Sequence, residues 1–89
     1  LATHRDEQIA RAVLHHHEKF NGEGYPGHMK EKEIPLCSRI IAVIATYSRK
    51  ILLKEPEDVV RDYIDSQRNK SCDPDIVDEL FKYIDEKNA

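Results

Sequence analysis

The sequence predicts an all-α fold, a small bundle of about four helices. Two observations support this. Apolar residues recur at helical spacing in four segments, and each segment opens at a capping residue or a proline. No internal repeat or low-complexity stretch interrupts the pattern.

Thr3 followed by Asp6 forms the N-cap arrangement of a first helix, which Ile9, Ala10, Val13, Leu14 and His17 continue to about Lys19. Asn21, Gly22, Gly24, Pro26 and Gly27 then crowd into a stretch that can form neither helix nor central strand, so an irregular loop follows. Pro35 serves as the first residue of a second helix. Its apolar pattern runs from Leu36 through Ile40, Ile41, Ala42, Val43, Ile44, Ala45 and Tyr47 to about Leu53. A β-branched run such as Ile40 to Ile44 also suits a buried strand, but the length of the segment and Pro35 favour helix. The middle of this helix is apolar on every side, a character normally found where other elements surround a helix. Glu55, Pro56, Glu57 and Asp58 place a proline and three acids at the start of a third helix, where the helix dipole favours negative charge. Val59, Val60, Tyr63 and Ile64 are its expected buried face. Asp73 before Pro74 repeats the cap-and-proline arrangement for a fourth helix with an apolar stripe of Ile76, Val77, Leu80, Phe81 and Ile84.

Charged residues at 35% against 39% apolar describe an ordinary soluble chain, and its 89 residues correspond to one small domain or a piece of a larger one. A chain of this size supports one small core, so the excess of apolar residues in the second helix points to a neighbour. We expect a second copy to cover Ile40, Ile41 and Ile44. The net charge of -3, with acids and bases interspersed, argues against a nucleic-acid polymer as partner. No apolar run approaches the roughly 18 residues that span a bilayer, so no membrane insertion is expected. Cys37 and Cys72 lie far apart with no CxxC pairing, which fits a reduced, cytoplasmic setting, and both are expected as small core fillers. His28 and Met29 are expected to cover the base of the loop, and the acids near the C-terminus a solvated helix face.

His15, His16 and His17 stand together at the predicted end of the first helix, followed by Glu18. Consecutive helical positions point about 100° apart, so two neighbouring histidines can each reach a different metal of a closely spaced pair. A polar helix end or a remnant of an affinity tag is the alternative reading. The three glycines of the loop, Gly22, Gly24 and Gly27, can serve positive φ in a tight connection, with Tyr25 packing its ring and Pro26 stiffening the exit. An ordered loop with an aromatic at its tip can also be a docking surface.

Read together, His16-His17-Glu18-Lys19-Phe20-Asn21-Gly22-Glu23-Gly24-Tyr25-Pro26 resembles the HHExxxGxGYP signature of HD-GYP domains at each fixed position. The likeness continues through Ile34-Pro35-Leu36 and Ser38-Arg39-Ile40-Ile41-Ala42-Val43, and resumes at Cys72-Asp73-Pro74 with Val77. The resemblance implies an all-α domain of bacterial cyclic di-GMP signalling, a family that hydrolyses the messenger with two or three divalent metals, often iron or manganese. It implies that residues 1–89 form one partial domain, the C-terminal, GYP-bearing portion, with the HD half lying upstream. His16 and His17 match two metal ligands, Glu18 is the acid of the motif, and His15 has no assigned role. The next ligand of the family is the first aspartate of an AD-x-x-DA stretch. Here that stretch reads Ile44-Ala45-Thr46-Tyr47-Ser48-Arg49, with Ala45 at the ligand position and Ser48 at the second aspartate.

An alanine methyl offers a metal no lone pair, and His4 stands in the wrong context to substitute for an upstream ligand. Stable metal binding by this chain alone is therefore not expected, and no residue is assigned a catalytic role. The phosphate-holding RPYR-like segment of the family is shortened here to Leu52-Leu53-Lys54-Glu55-Pro56, leaving Lys54 as a phosphate contact. Gly22, Gly24, Tyr25 and Pro26 become an interaction loop, with a GGDEF-type domain or the parent protein's HD half as partner. Three functions are compatible with this pattern: a degenerate module acting in interaction or regulation, part of a phosphodiesterase active only with the HD half, or a pseudo-enzyme that binds cyclic di-GMP.

Overall fold

The computed structural model describes residues 3–88 of the chain. Four α-helices follow one another, α1 (His4–Leu14), α2 (Leu36–Leu52), α3 (Glu57–Ser66) and α4 (Pro74–Lys87), with a short 3₁₀ turn over Glu31–Glu33 before α2. The predicted all-α bundle is what the chain forms, and no strand is present among the described residues.

The caps follow the sequence closely. Thr3 Oγ1 accepts the amide of Asp6 at 3.1 Å while the Asp6 carboxylate accepts the amide of Thr3 at 3.0 Å. Two otherwise unpartnered N–H groups at the start of α1 are thereby satisfied. Asp73 caps α4 through the amide of Asp75, with Pro74 just inside the helix. Pro35 and Pro56 occupy the cap positions of α2 and α3, so Pro35 stands one residue ahead of its expected place as first helical residue.

The core sits where α2, α3 and α4 meet. Val43, Val60, Ile64, Cys72, Val77, Leu80 and Ile84 are buried there, with Tyr47, Ile76 and Phe81 packed against them. One buried ion pair crosses this region. Arg39 on α2 donates to the Asp73 carboxylate at 2.8 Å and, through Nε, to the Ile34 carbonyl at 3.0 Å. Arg68 clamps the α3–α4 link from outside, binding Asp65, Asp78 and the Pro74 carbonyl. α1 packs chiefly on α2, where the buried Ser38 hydroxyl donates to the Ala12 carbonyl at 2.8 Å.

Several expectations are corrected by the packing. α1 ends at Leu14 rather than near Lys19, because the residues that would extend it are drawn into the loop. Ala12 is the one buried residue of α1; Ile9, Val13 and Leu14 are exposed, since only α2 lies against this helix. Val59 is exposed on α3 and Tyr63 lies outside the core at the edge of a cleft, because Val60 and Ile64 alone are the buried residues of this helix. Cys72 is a core filler, whereas Cys37 is exposed on the outer side of α2. Ile40, Ile41 and Ile44 are also exposed, so the apolar centre of α2 lies open among the described residues.

Candidate functional site

The site begins where α1 stops. His15 adopts φ -102° and ψ 11° at the end of the helix, and its amide still reaches the Arg11 carbonyl at 3.0 Å. His16 and His17 therefore stand in a turn and not on a helix, which corrects the placement expected from periodicity. Glu18 is the reason. Its side chain is turned into the protein, where Oε2 accepts the Gly27 amide at 2.7 Å and Oε1 the Met29 amide at 2.9 Å. The His15 ring lies 3.1 Å from Oε2, so its Nδ1 donates to the carboxylate. Burial works to raise the Glu18 pKa, but the Gly27 amide, the His15 ring and the Met29 amide outweigh it and hold it below its ordinary value. Glu18 is consumed as an anchor for the loop.

Gly24 closes the other side of this arrangement. A Cβ there would stand 2.3 Å from the His17 carbonyl oxygen, 2.4 Å from the Lys19 nitrogen and 2.6 Å from the Glu18 Cα. Only glycine permits so close a crossing of two backbones. Gly22 is the glycine with positive φ, at 87°, and its amide donates to the Lys19 carbonyl at 2.8 Å. Tyr25 follows, its amide donating to the His17 carbonyl at 3.3 Å and its ring stacked on His17 with centroids 5.0 Å apart. The Tyr25–Pro26 peptide bond is cis. Tyr25 remains 58% exposed, so the loop is ordered from within while its aromatic tip stays available to solvent. The loop is tied to the bundle by the Asn21 amide, which donates to the Lys70 carbonyl at 2.8 Å.

The histidine turn faces the middle of α2 across a cleft of about 480 Å³. His16, His17 and Glu18 form one wall, with the two histidine ring centroids 3.9 Å apart; Ile41, Ala42, Ala45, Thr46 and Arg49 of α2 form the other. Tyr63, Gln67 and Ser71 close the far end, and Lys19 stands at the edge. The His16 Nδ1 donates to the Val13 carbonyl, which can only accept. The structure thus brings His16, His17 and Ala45 to one cleft. Lys54 lies outside it, on the link between α2 and α3 with φ 59°, and Gly22 and Pro26 also lie beyond its lining. Arg49, absent from the expected site, lines the cleft because it follows Ala45 by four positions on α2. That spacing was legible in the sequence. Gln67 and Ser71 had no such signal, since they reach the cleft only through the packing of α3.

The donors present do not fit a centre of two or three metals. Two imidazoles face the cleft, Glu18 is engaged by the loop, and Ala45 contributes a methyl group. Among the described residues no group of three or more His, Cys, Asp or Glu side chains is placed to hold a metal ion. This arrangement can still receive an anionic group, because Arg49 and Lys19 bring positive charge to a cleft whose one carboxylate, Glu18, is already bonded to the Gly27 and Met29 amides.

Known proteins resemble the chain over most of its length. The profile of a family described as HD domain matches residues 1–74. The chain is 34% identical over 79 residues to a cyclic di-GMP phosphodiesterase of Thermotoga maritima, covering 82% of this chain and 21% of that protein. It is 32% identical over 78 residues to a cyclic di-GMP phosphodiesterase response regulator of Xanthomonas campestris pv. campestris, again covering 82% and 21%. A 3'3'-cGAMP-specific phosphodiesterase of Vibrio cholerae is 29% identical over 85 residues, covering 89% of this chain and 16% of that protein. The chain spans between 16% and 21% of the length of these relatives. No solved structure matches the chain significantly.

Proposed function

The chain belongs to the HD domain family, and from that premise we propose that it is a degenerate HD-GYP module that does not hydrolyse cyclic di-GMP with its own residues and acts through what it binds. The observation that carries this reading is Ala45, which faces the cleft beside His16 and His17 where the family pattern has a carboxylate. Metal-assisted hydrolysis depends on a completed ligand set, since the metals both lower the pKa of the attacking water and neutralise charge on the phosphate. The reading of residues 1–89 as the GYP-bearing portion of a larger domain belongs to the same proposal, supported by the small share of each relative that the chain covers.

The test is elemental analysis of untagged protein purified without chelator, together with hydrolysis of cyclic di-GMP in added iron or manganese. Substoichiometric metal and no turnover are expected. Turnover by the chain alone would overturn the proposal.

The interaction surface in this reading is the loop around Tyr25, held in place by Glu18 and exposed at its tip. A GGDEF-type domain is its proposed partner, and Tyr25→Ala should abolish that binding without unfolding the chain.

Arg49 and Lys19 at the cleft favour a second reading, in which the module binds cyclic di-GMP without cleaving it. Titration with the dinucleotide separates the two. Saturable binding that is lost in Arg49→Glu supports the second reading, and no binding leaves the first.

A further inference from the structure

A continuous apolar face is centred on the outer side of α2 and extends past the cleft, with which it shares Ile41. α2 forms its centre. Helical geometry places Cys37, Ile44 and Ser48 along the middle of the open side of this helix, flanked by Ile40 on one edge and Ile41 on the other. All five are exposed. On one side the face continues into a groove of about 610 Å³ between α1 and α2, lined by Ile9, Val13, Leu36 and Ile41. On the other it continues into a smaller groove between α2 and α4, lined by Ile40, Ile44, Ile76, Leu80 and Tyr83. The two grooves differ in charge. Arg5 and Arg11 border the first, and Glu79 borders the second.

We propose that this face is the interface of a two-fold dimer of the chain, with α2 packed parallel to α2 and the basic edge of α1 set against the acidic edge of α4 in the second copy. The charges select the orientation. If the two-fold axis crosses α2 at right angles, α1 meets α1, and Arg5 and Arg11 oppose the same arginines. If the axis runs along α2, the left edge of one copy faces the right edge of the other, and Arg5 and Arg11 meet Glu79. Height along α2 is preserved by that axis. Both grooves lie against the N-terminal half of α2, the first beside Leu36, Cys37 and Ile41 and the second beside Ile40 and Ile44, so the opposite charges come to nearly the same level. A second copy is the occupant that carries both members of the complementary pair on one surface, as an isologous interface requires. The apolar centre supplies the desolvated contact, and the charged edges stay at its rim, where they set register and exclude the alternative pairing.

The parallel axis has a consequence that an antiparallel one does not. Residues near the axis face their own copies, so Cys37 lies opposite Cys37 of the second copy, while Cys72 is buried in the core and out of reach.

The experiment is sedimentation equilibrium of the whole chain from about 10 to about 500 µM, where mass action favours assembly, paired with mild oxidation and non-reducing electrophoresis. A dimer is expected. Ile44→Asp, at a position exposed in the single chain, should leave the circular dichroism spectrum intact and raise the dissociation constant by at least about tenfold. Glu79→Arg should weaken the dimer, and Arg5→Glu with Arg11→Glu in the same chain should restore it. Oxidation should give a covalent dimer that disappears in Cys37→Ser. A chain that stays monomeric across this range, or a dimer indifferent to Ile44→Asp, would overturn the proposal. A dimer that forms no Cys37 cross-link would overturn its parallel arrangement. The proposal does not depend on the cleft being inactive, so turnover of cyclic di-GMP leaves it standing.

Discussion

At Gly24 a methyl group has no room, because backbone atoms of His17, Glu18 and Lys19 occupy the space where a Cβ would be. Gly24→Ala must therefore push the loop away from the histidine turn, at a cost of about 1–3 kcal/mol, the range typical of overpacked sites. Urea unfolding measures this directly, and an unchanged midpoint would show that the loop relaxes freely. Glu18 acts on the same segment from inside. Glu18→Gln keeps the shape but removes the charge from an acceptor of the Gly27 and Met29 amides, and should cost about 1–3 kcal/mol. It should also make the Tyr25 amide exchange faster with solvent, because that amide is held through the segment Glu18 anchors. Ala45 invites the opposite kind of change. Ala45→Asp adds a carboxylate to the cleft wall that faces His16 and His17, so it should tighten binding of manganese or zinc in isothermal titration relative to the parent chain. Equal affinity for the two would mean that the side chains do not converge.

Between elements, the strongest single polar tie is the pair of Arg39 on α2 and Asp73 at the start of α4, both almost fully buried. Arg39→Ala leaves a carboxylate buried without its counter-charge and should cost about 3–5 kcal/mol, enough to unfold a chain of modest stability. Asp73 also determines part of the acid response. Burial works to raise its pKa, but the Arg39 guanidinium and the Asp75 amide outweigh this and hold it below the ordinary aspartate value. A carboxyl whose folded-state pKa is lowered stabilises the fold above its unfolded pKa, so this contribution is complete above about pH 4 and is lost as pH falls through the lowered value. Urea midpoints recorded from neutral to acid pH should therefore fall less steeply in Asp73→Asn than in the parent chain. The four helices themselves were legible as elements, because Thr3 with Asp6, Pro35, Pro56 and Asp73 with Pro74 announce their starts locally. The end of α1 was not. Its periodicity runs on to His17, and the groups that stop it, the amides of Gly27 and Met29, lie a loop away.

The whole molecule measures 44 × 27 × 23 Å with a radius of gyration of 14.0 Å, larger than the roughly 12 Å of a compact domain of this length. α1 packs chiefly on α2 and leaves Ile9, Val13 and Leu14 open. Under the proposed dimer, association stabilises the folded chain, so its urea midpoint should rise with protein concentration. A midpoint independent of concentration would mean that the folded chain does not associate. No helix among the described residues is long and apolar enough to cross a membrane.

The sequence by itself determined the helical class, the helix starts, the glycine-rich loop and the family, because each is written in local spacing or in a contiguous motif. It also showed that Ala45 stands where a carboxylate is expected. Only the tertiary structure decided which apolar residues are core and which are surface, since an amphipathic pattern states that a face is apolar without stating that anything covers it. Ile40, Ile44 and Val43 read alike in the sequence, yet Val43 is fully buried while the two isoleucines stay open. Gln67 and Ser71 entered the cleft, Lys54 stood apart from it, and Glu18 turned inward because each position depends on where a distant helix or loop comes to rest.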